Sequence, residues 1–300
     1  MVSNPANNHP PASGSPNLVA RLASLVKFEH TIFALPFAFM GAVVAAHGVP
    51  SLRVTLLIVL AMVGARTAAM TFNRIVDVEI DRKNPRTARR ELVTGAVSMP
   101  QARGLLVIAC VLFLAAAISL NRLAAVLSVP ALIAVLGYSL TKRFTALSHL
   151  ALGFGLSIAP VGAWVAVTGK LDWPPIILAA AVMAWTAGFD IIYSLQDTEF
   201  DKAQKLHSLP AVIGESRALW VSRLLHITML GLLAGFGLAA GLGRVYYAAV
   251  ALVFLFLLYE HSLVSPQDKS RINVAFFTLN GVVSVTLFLL TLLDISGLFR

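Results

Sequence analysis

The sequence predicts an all-α polytopic membrane protein, and three observations carry that reading. Of its 300 residues 58% are hydrophobic and only 12% charged, whereas a soluble domain has about 25% charged residues. The apolar residues gather into runs that approach the roughly 20 positions a helix needs to cross the hydrocarbon. No alternating barrel pattern interrupts them. The excess charge of +9 then reads as membrane orientation, and no nucleic-acid partner is expected.

Taken in order, residues 1–24 read as a disordered tail, rich in Pro, Asn and Ser, whose first 20 residues carry no basic residue and so form no signal peptide. Nine spans follow. The first, roughly 29–47, opens on Glu29 and His30, a capping or interface pair. The second, 54–73, carries Arg66, and the third, 102–120, holds the lone Cys110, a small core hydrophobe without a disulfide partner. The fourth, 123–140, starts after the tight turn Asn121-Arg122 and ends on Tyr138 and Lys142. In the fifth, 147–167, Gly153, Gly155 and Gly162 indicate close helix packing around a proline break. The sixth, 175–195, encloses Asp190. The seventh, 218–241, and eighth, 245–263, are joined by the turn from Gly241 to Arg244, and the ninth is 274–293.

Lys and Arg decide the orientation. Sixteen fall on the side of the N-terminus and five, Arg53, Arg122, Lys170, Arg244 and Arg300, on the other. The positive-inside rule therefore places the N-terminus and the even-numbered connections in the cytoplasm, with the C-terminus outside. A cell inner (plasma) membrane location is expected.

Two connections are long, at about 74–101 and 196–217, and both are cytoplasmic. Of the 14 acids, Asp77, Glu79, Asp81, Glu91, Asp190, Asp197, Glu199 and Asp201 lie in or beside them, so function is sought there. Asn73, Asp77 and Asp81 are spaced four apart, which puts them on one face if the second helix continues past the membrane edge. In "GFDIIYSLQDTEFDK" Asp197 and Asp201 repeat the spacing, with Tyr193 and Asp190 four and seven residues before Asp197. Carboxylates so stacked repel unless a cation joins them. Mg²⁺ favours one or two carboxylates together with water and phosphate oxygens. The nearby basic residues suit the outer oxygens of a diphosphate.

A single charged stretch at a helix end is usually a solvated loop. Two matched stretches, with Asp190 and Arg66 placed inside apolar spans at about 2.5–3.5 kcal/mol each on insertion scales, argue for a site. Tyr138 and Lys142 read equally well as an interfacial anchor or a phosphate clamp. His149, His226 and His261 have no ligand spacing and receive no metal.

These motifs resemble those of the UbiA superfamily of intramembrane aromatic prenyltransferases, over about residues 25 to 293. "NRIVDVEID", "DIIYSLQDTEFD" and "YSLTK" are similar to its two aspartate-rich motifs and its Tyr-x-x-x-Lys element. "APVGAW" and "FEHTIFALPFAF" look like the 4-hydroxybenzoate polyprenyltransferase branch. Arg74 departs from the common form, where aspartate stands, and points to that branch.

The resemblance implies a single prenyltransferase domain over 25–300, a nine-helix bundle around a central cavity with a cytoplasmic cap. It implies that Asn73, Asp77, Asp81, Asp197 and Asp201 hold Mg²⁺ and diphosphate, and that Arg86, Arg90, Tyr138 and Lys142 contact the diphosphate. Asp190 and Tyr193 would complete the wall at the reacting carbon, and Arg66 would meet an acceptor carboxylate. The implied reaction transfers a polyprenyl group from polyprenyl diphosphate to a ring carbon of 4-hydroxybenzoate in quinone biosynthesis. A dihydroxynaphthoate acceptor is the alternative. A transporter fits less well, since its acids would gather near the midplane and not at one face. Membrane lipid receives the prenyl tail.

Overall fold

The computed structural model describes residues 17–26 and 31–298. Its elements in order are α1 (Leu18–Val26), α2 (Thr31–Ala46), α3 (Leu52–Val76), α4 (Val78–Lys83), α5 (Glu91–Thr94), α6 (Met99–Leu120), α7 (Arg122–Thr141), α8 (Ser148–Thr168) and α9 (Trp173–Ser194). There follow α10 (Thr198–Ala203), α11 (Leu209–Ile213), α12 (Glu215–Ala239), α13 (Arg244–Ser262), a π-helical turn (Val274–Leu279) and α14 (Asn280–Ile295). No strand occurs among the described residues. The chain is a multi-pass membrane protein: eight described helices are long and apolar enough to cross a membrane.

The expected first span corresponds to the shorter helix α2, of 16 residues. Glu29 and His30 lie outside the described residues. The tail expected over 1–24 is helical from Leu18. Leu18, Leu22, Leu25 and Val26 fall on one stripe of α1, and Leu25 and Val26 bury against Met70, Leu92 and Val97. Arg21 donates to the Ala96 carbonyl at 3.0 Å, closing α1 over the first long link.

Local chemistry explains where the helices begin. Ser98 and Gln101 form a reciprocal capping box at α6. Asn121 Oδ1 accepts from the Ala124 N–H at 2.9 Å, which starts α7. Its Nδ2 donates to the Val165 carbonyl at 2.7 Å, fixing the α6–α7 turn to α8. At the far end of the chain, the Asp294 carboxylate accepts from the backbone N–H groups of Gly243, Val245 and Tyr246 at 2.6, 3.1 and 3.3 Å. It caps α13 from a different helix.

Helix α9 runs through the middle, between α8 and α12. Leu178, Ala181, Val182, Trp185, Ile191 and Ile192 along it are buried. Trp185, Phe236, Tyr246, Phe37, Met229 and Leu233 fill the largest core. At Gly153 a Cβ would collide with the Met183 carbonyl, so α8 can approach α9 this closely only without a side chain. The close packing expected there holds for Gly153, whereas Gly162 faces open space.

The π turn sits where α14 begins. Asn280, fully buried, donates from Nδ2 to the carbonyls of Ala275 and Phe276 at 3.1 Å each. That side chain occupies carbonyls in the stretch where regular helical bonding lapses. Phe276 and Phe277 in this turn face Tyr193 on α9.

Candidate active site

The two aspartate motifs fold in the same way. Helix α3 ends at Asp77, whose φ −96° and ψ 4° leave the helical region, and the six-residue α4 carries the chain on to Asp81. After α9 and one 3₁₀ turn, Asp197 takes φ −106° and ψ 6°, and the six-residue α10 leads to Asp201. Both central aspartates thus lie in the sparsely occupied bridge region common at active sites. On the first side the hydrogen-bonding rhythm survives the kink, with Asp77 N–H to the Asn73 carbonyl at 3.0 Å and Asp81 N–H to the Asp77 carbonyl at 2.7 Å.

These kinks bring the motifs to one cavity of about 260 Å³. Arg66, Asn73, Asp77, Asp81, Arg86, Arg90, Tyr138, Lys142, Asp190, Tyr193, Asp197 and Asp201 all line it. Every residue singled out for chemistry in the sequence is therefore at the same place.

Each central carboxylate is matched by a cation or amide. Asp77 accepts from Asn73 Nδ2 at 3.0 Å and from Arg143 Nη2 at 3.0 Å, with Lys142 Nζ at 4.0 Å. Both oxygens of Asp81 accept from Arg90 Nη1 at 2.6 Å. Asp197 is gripped by Arg86 through two nitrogens and by Asn84 Nδ2 at 3.0 Å. Burial opposes the charge on the Arg86 guanidinium, yet the bonds and attraction of Asp197 outweigh it, and its pKa is raised above the ordinary arginine value. Asp201 is buried.

Farther in, the wall becomes aromatic. The rings of Tyr193 and Phe276 are 4.1 Å apart at 31°, and Phe189 meets Phe276 edge-on at 5.3 Å. Arg86 Nη1 donates to the Tyr193 hydroxyl at 3.1 Å. Arg66 and Arg74, both on α3, face the cavity, and the Nε of each is buried without a partner. The residue that departs from the common motif thus points into the site.

Sequence reasoning missed three residues. Asn84 sits in "KNPR" and also accepts the Arg86 N–H at 2.9 Å on its Oδ1, so one side chain shapes the turn and holds Asp197. Arg143 donates to the Val76 carbonyl at 2.5 Å beside Asp77. His149, given no metal from sequence, touches Asp190, its Nδ1 lying 2.7 Å from Oδ2. The Asn-Pro turn and the Lys-Arg pair were legible signals for the first two. A lone histidine carried none.

Among the described residues, no three His, Cys, Asp or Glu side chains stand together in a way that holds a metal ion. Such a cage is not what Mg²⁺ requires, because it readily shares one or two carboxylates with substrate phosphate oxygens and water. The donor set fits that mode: an arriving diphosphate would draw off the Arg and Lys partners and leave Asp77, Asp81, Asp197 and Asp201 their oxygens.

A membrane bundle with an aromatic chamber beside facing ion pairs is the arrangement of an intramembrane enzyme. The chain belongs to the UbiA prenyltransferase family, whose pattern matches residues 34–282. It is 33% identical over 257 residues to the 4-hydroxybenzoate octaprenyltransferase of Nitrosospira multiformis, covering 85% of this chain and 87% of that one. To the enzyme of the same name in Vibrio parahaemolyticus it is 29% identical, over 87% and 89% of the two chains. The solved UbiA homolog from Aeropyrum pernix K1 matches with a TM-score of 0.77 at 34% identity, over 90% of this chain and 98% of that one. A UbiA homolog from Archaeoglobus fulgidus bound to GPP and Mg²⁺ shares the fold, with a TM-score of 0.74 at 22% identity over 92% and 99%.

Proposed function

We propose that this protein transfers a polyprenyl group from polyprenyl diphosphate to a ring carbon of 4-hydroxybenzoate, with Mg²⁺, in the biosynthesis of a ubiquinone-type quinone. The observation that carries the reading is the convergence of both aspartate motifs on a cavity whose charged mouth gives way to an aromatic floor. Relatives named 4-hydroxybenzoate octaprenyltransferase support the acceptor.

The diphosphate is received by Arg86, Arg90 and Lys142, which now neutralise Asp197, Asp81 and Asp77. Asn73, Asp77, Asp81, Asp197 and Asp201 hold the metal. When bound, Mg²⁺ supplies Lewis-acid neutralisation of the departing diphosphate. The allylic carbon that loses the diphosphate is shielded by Tyr193, Phe276 and Phe189, whose apolar packing excludes water and whose ring faces favour a cation by about 2 kcal/mol or more when desolvated. Arg66 meets the acceptor carboxylate, and Tyr138, which lines the same cavity, contacts the diphosphate. The phenol then attacks through the carbon next to its hydroxyl. The ring proton leaves to Asp190, and the C–H electron pair restores the aromatic ring.

The excess of Lys and Arg on one face supports a plasma-membrane topology with the site in the cytoplasmic leaflet, the N-terminus inside and the C-terminus outside. One domain carries the activity over 25–300. The prenyl tail extends between helices into lipid, where the product leaves. The test is to incubate membranes holding the protein with Mg²⁺, a polyprenyl diphosphate and a panel of aromatic acids. Prenylated 4-hydroxybenzoate is the expected product, and exclusive prenylation of a dihydroxynaphthoate would overturn the acceptor.

A further inference from the structure

We infer that His149 is a positioning residue that clamps the Asp190 carboxylate in one orientation, and that its ring is locked in a single tautomer by the cytoplasmic cap. The inference rests on the functional reading above for the role of Asp190. It stands on a contact between the first residue of the second aspartate motif and a histidine outside both motifs.

His149 lies in the first turn of α8 and is buried, with 5% exposure. Its Nε2 is 3.1 Å from the backbone N of Leu209, the first residue of α11. A backbone N–H only donates, so Nε2 must be the lone-pair nitrogen. In the neutral ring the single proton is then on Nδ1, which is 2.7 Å from Asp190 Oδ2 and donates to it. The Leu209 N–H is one of those that open a helix without an intrahelical acceptor. The imidazole satisfies it, and the cap in turn fixes the ring.

The consequence falls on Asp190. One oxygen is held, while Oδ1 has no partner among the described residues and Asp190 lines the cavity. A carboxylate tethered at one oxygen presents the other to the acceptor at a fixed angle, the base-and-orienter arrangement that proton transfer requires. His149 does not pass the proton onward, since Nε2 could take one only by giving up the Leu209 bond. The proton accepted from the ring therefore stays on Asp190 until solvent removes it at the cavity. His149 lines the same cavity and acts through its contact with Asp190.

Two short substitutions separate the contacts. His149→Asn places an amide N–H near the Nδ1 position and keeps the bond to Asp190. His149→Gln places an amide oxygen near the Nε2 position and keeps only the bond to Leu209. Orienting a proton acceptor is part of an effect worth about 10²–10⁴-fold. We expect His149→Ala and His149→Gln to lower kcat for ring prenylation about tenfold or more. KM for the prenyl diphosphate should stay within about twofold of wild type, and His149→Asn should recover most of the loss.

A second readout does not depend on turnover. Proton–nitrogen NMR of the ¹⁵N-histidine-labelled protein, assigned by difference with His149→Asn, should show His149 protonated at Nδ1 alone. An Nε2–H or doubly protonated ring overturns the clamp, as does an alanine variant with wild-type kcat or an asparagine variant no better than alanine. Failure of the functional reading would differ: wild-type protein would prenylate no hydroxybenzoate, while the Nδ1–H form of His149 would still uphold the lock.

Discussion

Arg86 Nε donates to Asp197 Oδ1 at 2.9 Å across 111 positions of chain, and a second guanidinium nitrogen takes the other carboxylate oxygen. One side chain thereby joins the two long links, and its third nitrogen reaches the Tyr193 hydroxyl at 3.1 Å. The charged mouth and the aromatic wall are one assembly.

Arg86→Ala should therefore raise KM for the prenyl diphosphate and slow turnover. A bond to a charged group contributes about 1.5–3 kcal/mol, a loss of about tenfold or more in kcat/KM. Arg86→Lys should recover little, because a single ammonium cannot serve Asp197 bidentately and Tyr193 together. Steady-state kinetics on the purified variants decides it, and lysine at wild-type rates would show that only the charge matters.

On the proposed reading the ring of Tyr193, 4.1 Å from Phe276, shields the allylic carbon. Tyr193→Leu should slow prenylation about 30-fold, the equivalent of about 2 kcal/mol of cation–π stabilisation. It should also raise the share of prenyl alcohol formed by water. An unchanged ratio of alcohol to prenylated acid, measured by mass spectrometry, would assign the dry wall elsewhere.

Much of this site was legible in the sequence, and the reason is spacing. Asn73, Asp77 and Asp81 stand four apart, as do Tyr193, Asp197 and Asp201. Helical rhythm alone predicted that each set would share a face. The kinks at Asp77 and Asp197 were not predictable from that rhythm, because they depend on where the helices meet the cap. His149 was invisible for another reason: its partner Asp190 is 41 residues away, and only the packing of α8 on α9 brings them together. Helix α1 was hidden by composition, since Pro, Asn and Ser before it outweighed the stripe of Leu18, Leu22, Leu25 and Val26.

Arg143 and Arg82 offer a contrast between a built contact and a surface pair. Arg143 holds both the Val76 carbonyl and Asp77 Oδ1, whereas Arg82 and Glu79 have side chains 55% and 69% exposed. Arg143→Ala should cut activity about tenfold by loosening Asp77. Arg82→Ala should leave it within about twofold, as exposed pairs contribute about 0–1 kcal/mol. Equal effects in the same assay would remove Arg143 from the site.

Asp294 supports the fold at the opposite end of the bundle from the site. Asp294→Ala strands three backbone N–H groups at the start of α13. Loss of one capping side chain costs about 0.5–2 kcal/mol, and burial of these donors places the expected loss toward the upper end. Thermal unfolding in detergent should shift to lower temperature, with KM for both substrates unchanged in the surviving protein. An unaltered transition would mean that the turn finds other acceptors.

The central claim is that the two aspartate motifs together hold a metal-bound diphosphate, and one measurement addresses it most directly. Membranes containing wild-type protein, Asp77→Ala or Asp197→Ala are given radiolabelled polyprenyl diphosphate and 4-hydroxybenzoate, with Mg²⁺ or with excess EDTA. Labelled prenyl hydroxybenzoate is predicted from the wild type with Mg²⁺ alone, and at least a hundredfold less from either variant or from the chelated sample, by analogy with the loss of an electrostatic stabiliser of the reaction. Undiminished product from either variant, or in EDTA, would contradict it.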